Sequence, residues 1–168
     1  KLQEVAYNAL GSYNGAVVVL DPKTGAVLVS VSKPDFNPNT VEEDWNTLVN
    51  DSANSSLLNR ATQGAYPPGS IFKVVDALAY LREHGTIDGF SYDCKGSITV
   101  DEHKIPCFGG EVHGAEDFTK AFAKSCNTAF TQIGLDLGAE NLKKTAESLL
   151  FNSKLPIPLE YNKSKFDL

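Results

Sequence analysis

The sequence predicts an α+β domain in which an N-terminal β-hairpin is followed by a mainly helical region. Two β-branched runs flank a turn within residues 15–32, and several segments between about 40 and 151 repeat apolar residues at helical spacing. Nothing after residue 150 resembles the strands that would complete a sheet, so the sheet's remainder is expected to be absent from this chain. The 168 residues are 42% hydrophobic and 21% charged, the composition of one globular domain with room for a core.

The elements follow in order. Leu2, Val5, Ala6, Ala9 and Leu10 recur at helical spacing and predict a short amphipathic helix. "GAVVVLDPKTGAVLVSVS" predicts strands at about 15–21 and 26–32 around Asp21-Pro22-Lys23-Thr24-Gly25, whose residue types suit a tight turn. A two-stranded hairpin alone is marginal in water, so it must pack on helices, pair with another chain or belong to a larger sheet. Thr40 with Glu43 three residues on predicts a capping box and a short helix through Trp45, a residue read as core or groove lining. Residues 51–69 read as loop. From Ser70 to His84, Ile71, Val74, Val75, Leu78 and Leu81 share one side of a helix that Gly85 stops. "KGSITVDEHKIPC" predicts a small hairpin on Asp101 and Glu102. Helices are expected over 116–124, over 127–137 closed by Gly138, and over 139–151, with an aperiodic tail at 152–168.

Charge and hydropathy exclude some functions. A formal net charge of -6 offers no broad basic surface, which disfavours nucleic acid as a partner. No apolar run approaches the roughly 20 residues of a membrane span, and "KLQEVAYNAL" is too short and mixed for a signal peptide. The expectation is a soluble chain, or one whose anchor lies outside these residues.

The chemistry is concentrated in two places. "YPPGSIFK" sets Ser70 three residues before Lys73 behind two prolines and a glycine. On a helix these side chains share a face, so the amine can take the proton that makes a serine a nucleophile. Unpaired N–H groups at the helix start favour an oxyanion there. The pattern also suits an ordinary helix start with a solvated lysine, and a second copy, Ser30 with Lys33, falls on a predicted strand where the two side chains point apart. In "AFAKSCNTAF", Ser125 and Asn127 stand at a predicted break between helices, where a hydroxyl can relay a proton and an amide can hold a substrate carbonyl.

Together, "YPPGSIFK" followed 55 residues later by "SCNTAF" resembles the transpeptidase domain of penicillin-binding proteins. The likeness extends over most of residues 10–151 and includes "GAVVVLDPKTGAVLVSVSKPDFNPN" and "NRATQGAYPPGSIFK". It implies an incomplete penicillin-binding transpeptidase fold: a hairpin at about 15–32, a helical subdomain at about 40–151 and a tail. It also implies roles for each motif residue: Ser70 as acylated nucleophile, Lys73 as general base, Ser125 as proton relay and Asn127 as ligand of the substrate amide. The partners implied are the D-Ala-D-Ala end of a peptidoglycan stem peptide and the β-lactams that mimic it. The implied place is the extracytoplasmic face of a bacterial membrane, with the anchor in a parent protein. No cofactor and no metal is assigned.

The family's third motif, a KTG-type triplet on a later strand, does not follow Asn127; the only such triplet is Lys23-Thr24-Gly25, in the hairpin turn. Losing one oxyanion donor with it would slow the reaction about 100-fold to 1000-fold. A serine β-lactamase, a β-lactam sensor domain and a non-catalytic module are the competing readings, and the open sheet edge could pair two copies. Outside the motifs, Cys94 and Cys107 bracket the predicted hairpin as a disulfide or a reduced pair. With His103 and His113 they offer four potential zinc ligands within 20 residues, though without a CxxC spacing. Cys126 is read as a small hydrophobe and His84 as a helix-end cap.

Overall fold

β-branched runs joined by a tight turn form the expected hairpin. In a computed structural model that describes residues 1–167, β1 (Gly15–Leu20) pairs antiparallel with β2 (Val27–Lys33), from Gly15 opposite Lys33 to Leu20 opposite Val27, with a bulge between Val19 and Leu20. The hairpin lies in the first of two units, residues 1–66 with 156–162; the second is 67–155 with the segment from 163 onward. The Lys23 N–H and the Thr24 hydroxyl both donate to the Asp21 carboxylate, at 2.9 and 2.7 Å, and Gly25 takes a φ of +73°. Lys23-Thr24-Gly25 is thus a turn, with the Thr24 hydroxyl and the Lys23 N–H spent on the turn itself.

Helix α1 (Leu2–Ala9) packs along β2, and the Gln3 carboxamide donates to the Ser30 carbonyl at 2.6 Å while accepting the Ser30 N–H at 3.0 Å. Lys33 donates to the carbonyls of Gly11, at 2.7 Å, and Tyr7, at 3.3 Å, with its ammonium 4.0 Å from the centre of the Tyr7 ring. The second serine–lysine pair is therefore a tie between β2 and α1. In α2 (Val41–Asn50) two expectations fail. The Thr40 hydroxyl donates to Asp44 at 2.7 Å and closes no capping box with Glu43. Trp45 is 51% exposed and lies outside the core. The Arg60 guanidinium donates to the carbonyls of Ser55 and Asn54, which holds the long loop after α2 together.

The second unit begins with a 3-10 turn, Gly69–Phe72, that runs into α3 (Lys73–His84). Gly85 ends α3 in a left-handed conformation, φ +73°, with its N–H on the Leu81 carbonyl at 2.9 Å. Next come β3 (Tyr92–Cys94), β4 (Ser97–Val100), β5 (His103–Pro106) and β6 (Gly114–Glu116). β4 and β5 form the expected hairpin, turning on Asp101 and Glu102, both with positive φ. The β3–β6 pairing was not expected, because three-residue strands leave no alternation to read. It also takes Glu116 out of the helix predicted there: α4 spans Phe118–Ala123, with the Asp117 carboxylate accepting the Lys120 N–H at 2.7 Å. α5 (Asn127–Ser148) is interrupted at Gly138, φ +74° and ψ 160°, as the sequence predicts.

Ala79 of α3, Phe118 and Ala121 of α4, and Ala129, Phe130, Ile133 and Leu137 of α5 form the core of this unit. The tail is fixed as well: the Asn152 carboxamide exchanges two hydrogen bonds with the Phe166 backbone, 2.8 and 3.0 Å, and the Phe166 ring stacks on Phe72 at 5.4 Å. The α+β class is borne out. Among the described residues, no helix is long and apolar enough to cross a membrane.

Candidate active site

Ser70 sits inside the 3-10 turn and Lys73 is the first residue of α3, so the serine precedes the α-helix that the spacing assigned to it. The consequence for the pair is small, since residues i and i+3 eclipse in a 3-10 turn. Gly69 has a φ of +57°, while a Cβ added there would meet nothing within 4 Å. The demand at that position is on backbone conformation alone, which explains a glycine immediately before the serine.

The second motif is built by the end of α4. The Ser125 N–H bonds the Phe122 carbonyl at 3.0 Å and the Cys126 N–H bonds the Ala121 carbonyl at 2.9 Å, the paired bonds of a Schellman stop. The residue that such a stop puts in the left-handed region is Ser125, φ +52°. Glycine fills that place without strain; a serine costs on the order of 1 kcal/mol, so its hydroxyl is kept against the backbone's preference. Cys126 then caps α5, its sulfur 3.4 Å from the Ala129 N–H, and Asn127 opens the helix.

Lys73 joins the two motifs. Its ammonium donates to the Ser125 carbonyl at 2.6 Å, to Ser125 Oγ at 2.9 Å and to Asn127 Oδ1 at 2.7 Å. The other end of the Asn127 amide donates to the Pro106 carbonyl at 3.0 Å, which fixes which way the amide points. Lys73 is only 9% exposed. Burial lowers its proton affinity, and the Cys126, Cys107 and Asp76 side chains push back. The expected contact between the amine and Ser70 is absent, because all three ammonium hydrogens go to Ser125 and Asn127. A neutral amine has two hydrogens and a lone pair, so deprotonation frees one direction for a new partner.

Behind this junction lies a cluster of which the sequence reading named three members and missed the fourth, Cys126. Cys94, Cys107, His113 and Cys126 are all buried, and their ligand atoms lie within 4.8 Å of one another. His103, weighed as a ligand in the sequence, is exposed on β5, and Cys126 stands beside the other three in its place. The sulfurs of Cys94 and Cys107 are 3.7 Å apart, unbonded, and those of Cys107 and Cys126 are 3.8 Å apart. His113 Nδ1 is 3.5 Å from Cys94 and 3.9 Å from Cys107. A tetrahedron with zinc–sulfur bonds of about 2.3 Å has edges of about 3.8 Å, so the donor set fits a tetrahedral soft divalent cation.

Two further features surround the cluster. The Glu116 carboxylate beside His113 is buried, and neither of its oxygens finds a hydrogen bond. Burial pushes the Cys126 thiol up to about 12, with Glu116 adding to the rise. Burial acts the same way on Cys94, but hydrogen bonds from Thr128, His113 and Gly96 bring its thiol down to about 6, so it ionises first. The signal was present in the sequence as gaps of 13, 6 and 13 residues, but only folding shows that the four side chains converge.

Fold and site together define a class: an α+β domain in which a buried lysine links a serine-bearing turn to a serine–asparagine turn. The chain belongs to the penicillin-binding protein transpeptidase domain family, whose model matches residues 15–165. It is 34% identical to the peptidoglycan D,D-transpeptidase PbpA of Mycolicibacterium smegmatis, over 98% of this chain and 37% of that protein. It is 33% identical to the peptidoglycan D,D-transpeptidase MrdA of Acinetobacter baumannii, over 94% of this chain and 24% of that protein. In structure it resembles the D,D-transpeptidase domain of a peptidoglycan glycosyltransferase from Eggerthella lenta, with a TM-score of 0.91 and 30% identity, covering 98% of this chain and 40% of that one. The penicillin G acyl-enzyme of penicillin-binding protein A from M. tuberculosis matches with a TM-score of 0.88 and 32% identity, over 98% of this chain and 42% of that one. The chain thus spans well under half the length of these relatives.

Proposed function

We propose that these residues form the nucleophile-bearing part of a peptidoglycan D,D-transpeptidase. The observation that carries the reading is the three-way bonding of the Lys73 ammonium to Ser125 and Asn127, one turn after Ser70. Neutral Lys73 accepts the Ser70 Oγ proton as Oγ attacks the carbonyl carbon of the penultimate D-alanine of a stem peptide. The new Oγ–C bond forms, the C–N bond to the terminal D-alanine breaks, and the proton passes through Ser125 Oγ to the departing amine. An amine of a second stem peptide then takes the acyl group and regenerates Ser70. In a β-lactam the breaking C–N bond lies in the ring, so the leaving group stays tethered and the acyl-enzyme persists. Asn127, with one amide hydrogen on Pro106, has the other for a substrate carbonyl.

The substrates belong outside the cytoplasmic membrane, so the parent protein is expected to work there, held by an anchor other than these residues. Nucleic acid is not an expected partner. No KTG-type triplet follows Asn127 in these residues, so the 168-residue chain by itself is expected to acylate about 100-fold to 1000-fold more slowly than a domain with both oxyanion donors. The test is intact-mass spectrometry after incubation with penicillin G, followed by peptide mapping. Slow addition of one penicillin at Ser70, absent from Ser70→Ala, is the expected result. An adduct at another residue, or one that survives Ser70→Ala, overturns the reading.

A further inference from the structure

One contact to Lys73 remains unused by this chemistry. The Phe130 ring, 4% exposed on α5, lies with its centre 5.7 Å from the Lys73 ammonium. It is three residues beyond Asn127, so the same helix face that presents the Asn127 carboxamide presents the ring. Phe118 and Phe122 hold Phe130 in place, each with its ring centre 5.9 Å away. The ammonium of this buried lysine therefore meets three oxygen acceptors and an aromatic ring.

The geometry points to Phe130 as a positioning residue for Lys73, one whose π-electrons stabilise the ammonium that forms when the lysine takes the serine proton. This rests on the transpeptidase reading above and deepens it. An aromatic face attracts a cation and gives a neutral amine little. The contact therefore strengthens as the proton moves from Ser70 Oγ to Lys73 Nζ, and so acts more on the transition state than on the ground state. Its modest size suits the task. A carboxylate at the same place would raise the lysine by 1–3 pH units and hold it charged, whereas a ring raises it by about half a unit. The other groups acting on Lys73 are Cys126 and Cys107 from behind the second motif and Asp76 one turn along α3. The inference concerns the ring's contribution with those groups unchanged.

The test replaces Phe130 by phenylalanines carrying one, two and three ring fluorines, which withdraw charge from the ring face with little change in volume. Phe130→Leu and Phe130→Tyr form a second series. Two quantities are read in the protein that contains this chain: titration of the Lys73 side chain by carbon NMR, assigned by its loss in Lys73→Met, and the pH dependence of acylation by penicillin G. Stepwise lowering of the Lys73 titration with each fluorine is expected, reaching about half a pH unit in Phe130→Leu, with Phe130→Tyr near the parent. The acid limb of the acylation profile should move to lower pH by the same amount, and the plateau should fall about 2-fold to 5-fold. A Lys73 titration that does not respond to fluorination overturns the inference, and so does a Phe130→Leu acylation defect with no pH shift, which marks packing alone. If the titration shifts while penicillin never adds to Ser70, the inference about Phe130 stands and the transpeptidase reading falls.

Discussion

Replacing Asp76 by asparagine is expected to stabilise the protein at neutral pH. Burial lifts the Asp76 carboxyl from 3.8 to about 6, against the opposing pull of Lys73 one turn earlier on α3. In the unfolded chain the group titrates near its ordinary value. Between the two values the folded form keeps a proton that the unfolded form has lost, so stability falls as pH rises through that window, and the whole penalty is present above it. A shift of about two units corresponds to about 3 kcal/mol as an upper bound. The carboxyl is only partly buried, and solvent screening reduces the figure to ~1–1.5 kcal/mol. Asparagine keeps the shape and drops the charge. Urea unfolding of both proteins, at about pH 7.5 and about pH 3.5, reads the difference, with unchanged m-values showing that stability alone has moved. The variant should gain ~1 kcal/mol at the higher pH and nothing at the lower. A variant less stable than the parent at about pH 7.5, or one with the same gain at both pH values, refutes the reasoning.

Other changes have equally definite outcomes. Protein prepared under reducing conditions should carry about one zinc per chain by elemental analysis, and Cys107→Ala should lose both the metal and several degrees of Tm; a metal-free parent protein would contradict the fit. Asn127→Ala leaves the Pro106 carbonyl without its donor and Lys73 short of one acceptor, which should cost about 1.5–3 kcal/mol in urea unfolding; a loss below about 0.5 kcal/mol would show that water replaces both bonds. Phe118→Ala removes a ring buried against Tyr80, Phe90 and Phe130 and should cost about 3–5 kcal/mol, whereas a near-neutral result would mean that the aromatic cluster recloses over the gap.

The hairpin and α3 were legible because each carries its own local signal: β-branched runs around Asp21–Gly25, and a one-sided apolar stripe stopped by Gly85. The two motifs were legible as words, and that they share one site was implied by the family resemblance. The details of the meeting were not legible. Ser70 moved to a 3-10 turn because Gly69 enters it with a positive φ, and the lysine turned from Ser70 towards three nearer acceptors. The capping box failed because the Thr40 N–H that Glu43 would have to bond goes to the Asn37 carbonyl, while the Thr40 hydroxyl turns to Asp44. The thiol–imidazole cluster was hidden for a different reason: its four ligands come from β3, the end of β5, the approach to β6 and the start of α5. No single periodic segment contains two of them, and chain spacing alone does not reveal convergence in space.

Gln3 gives the small hairpin a direction. By offering one donor and one acceptor to Ser30, its side chain plays the part of a neighbouring strand and stops the ladder on the β2 side. Any strand arriving to enlarge this sheet, whether from further along the same polypeptide or from a second molecule, therefore has a single berth, beside β1. The hairpin behaves like a zip sewn shut at one margin, and one amide group holds that margin closed.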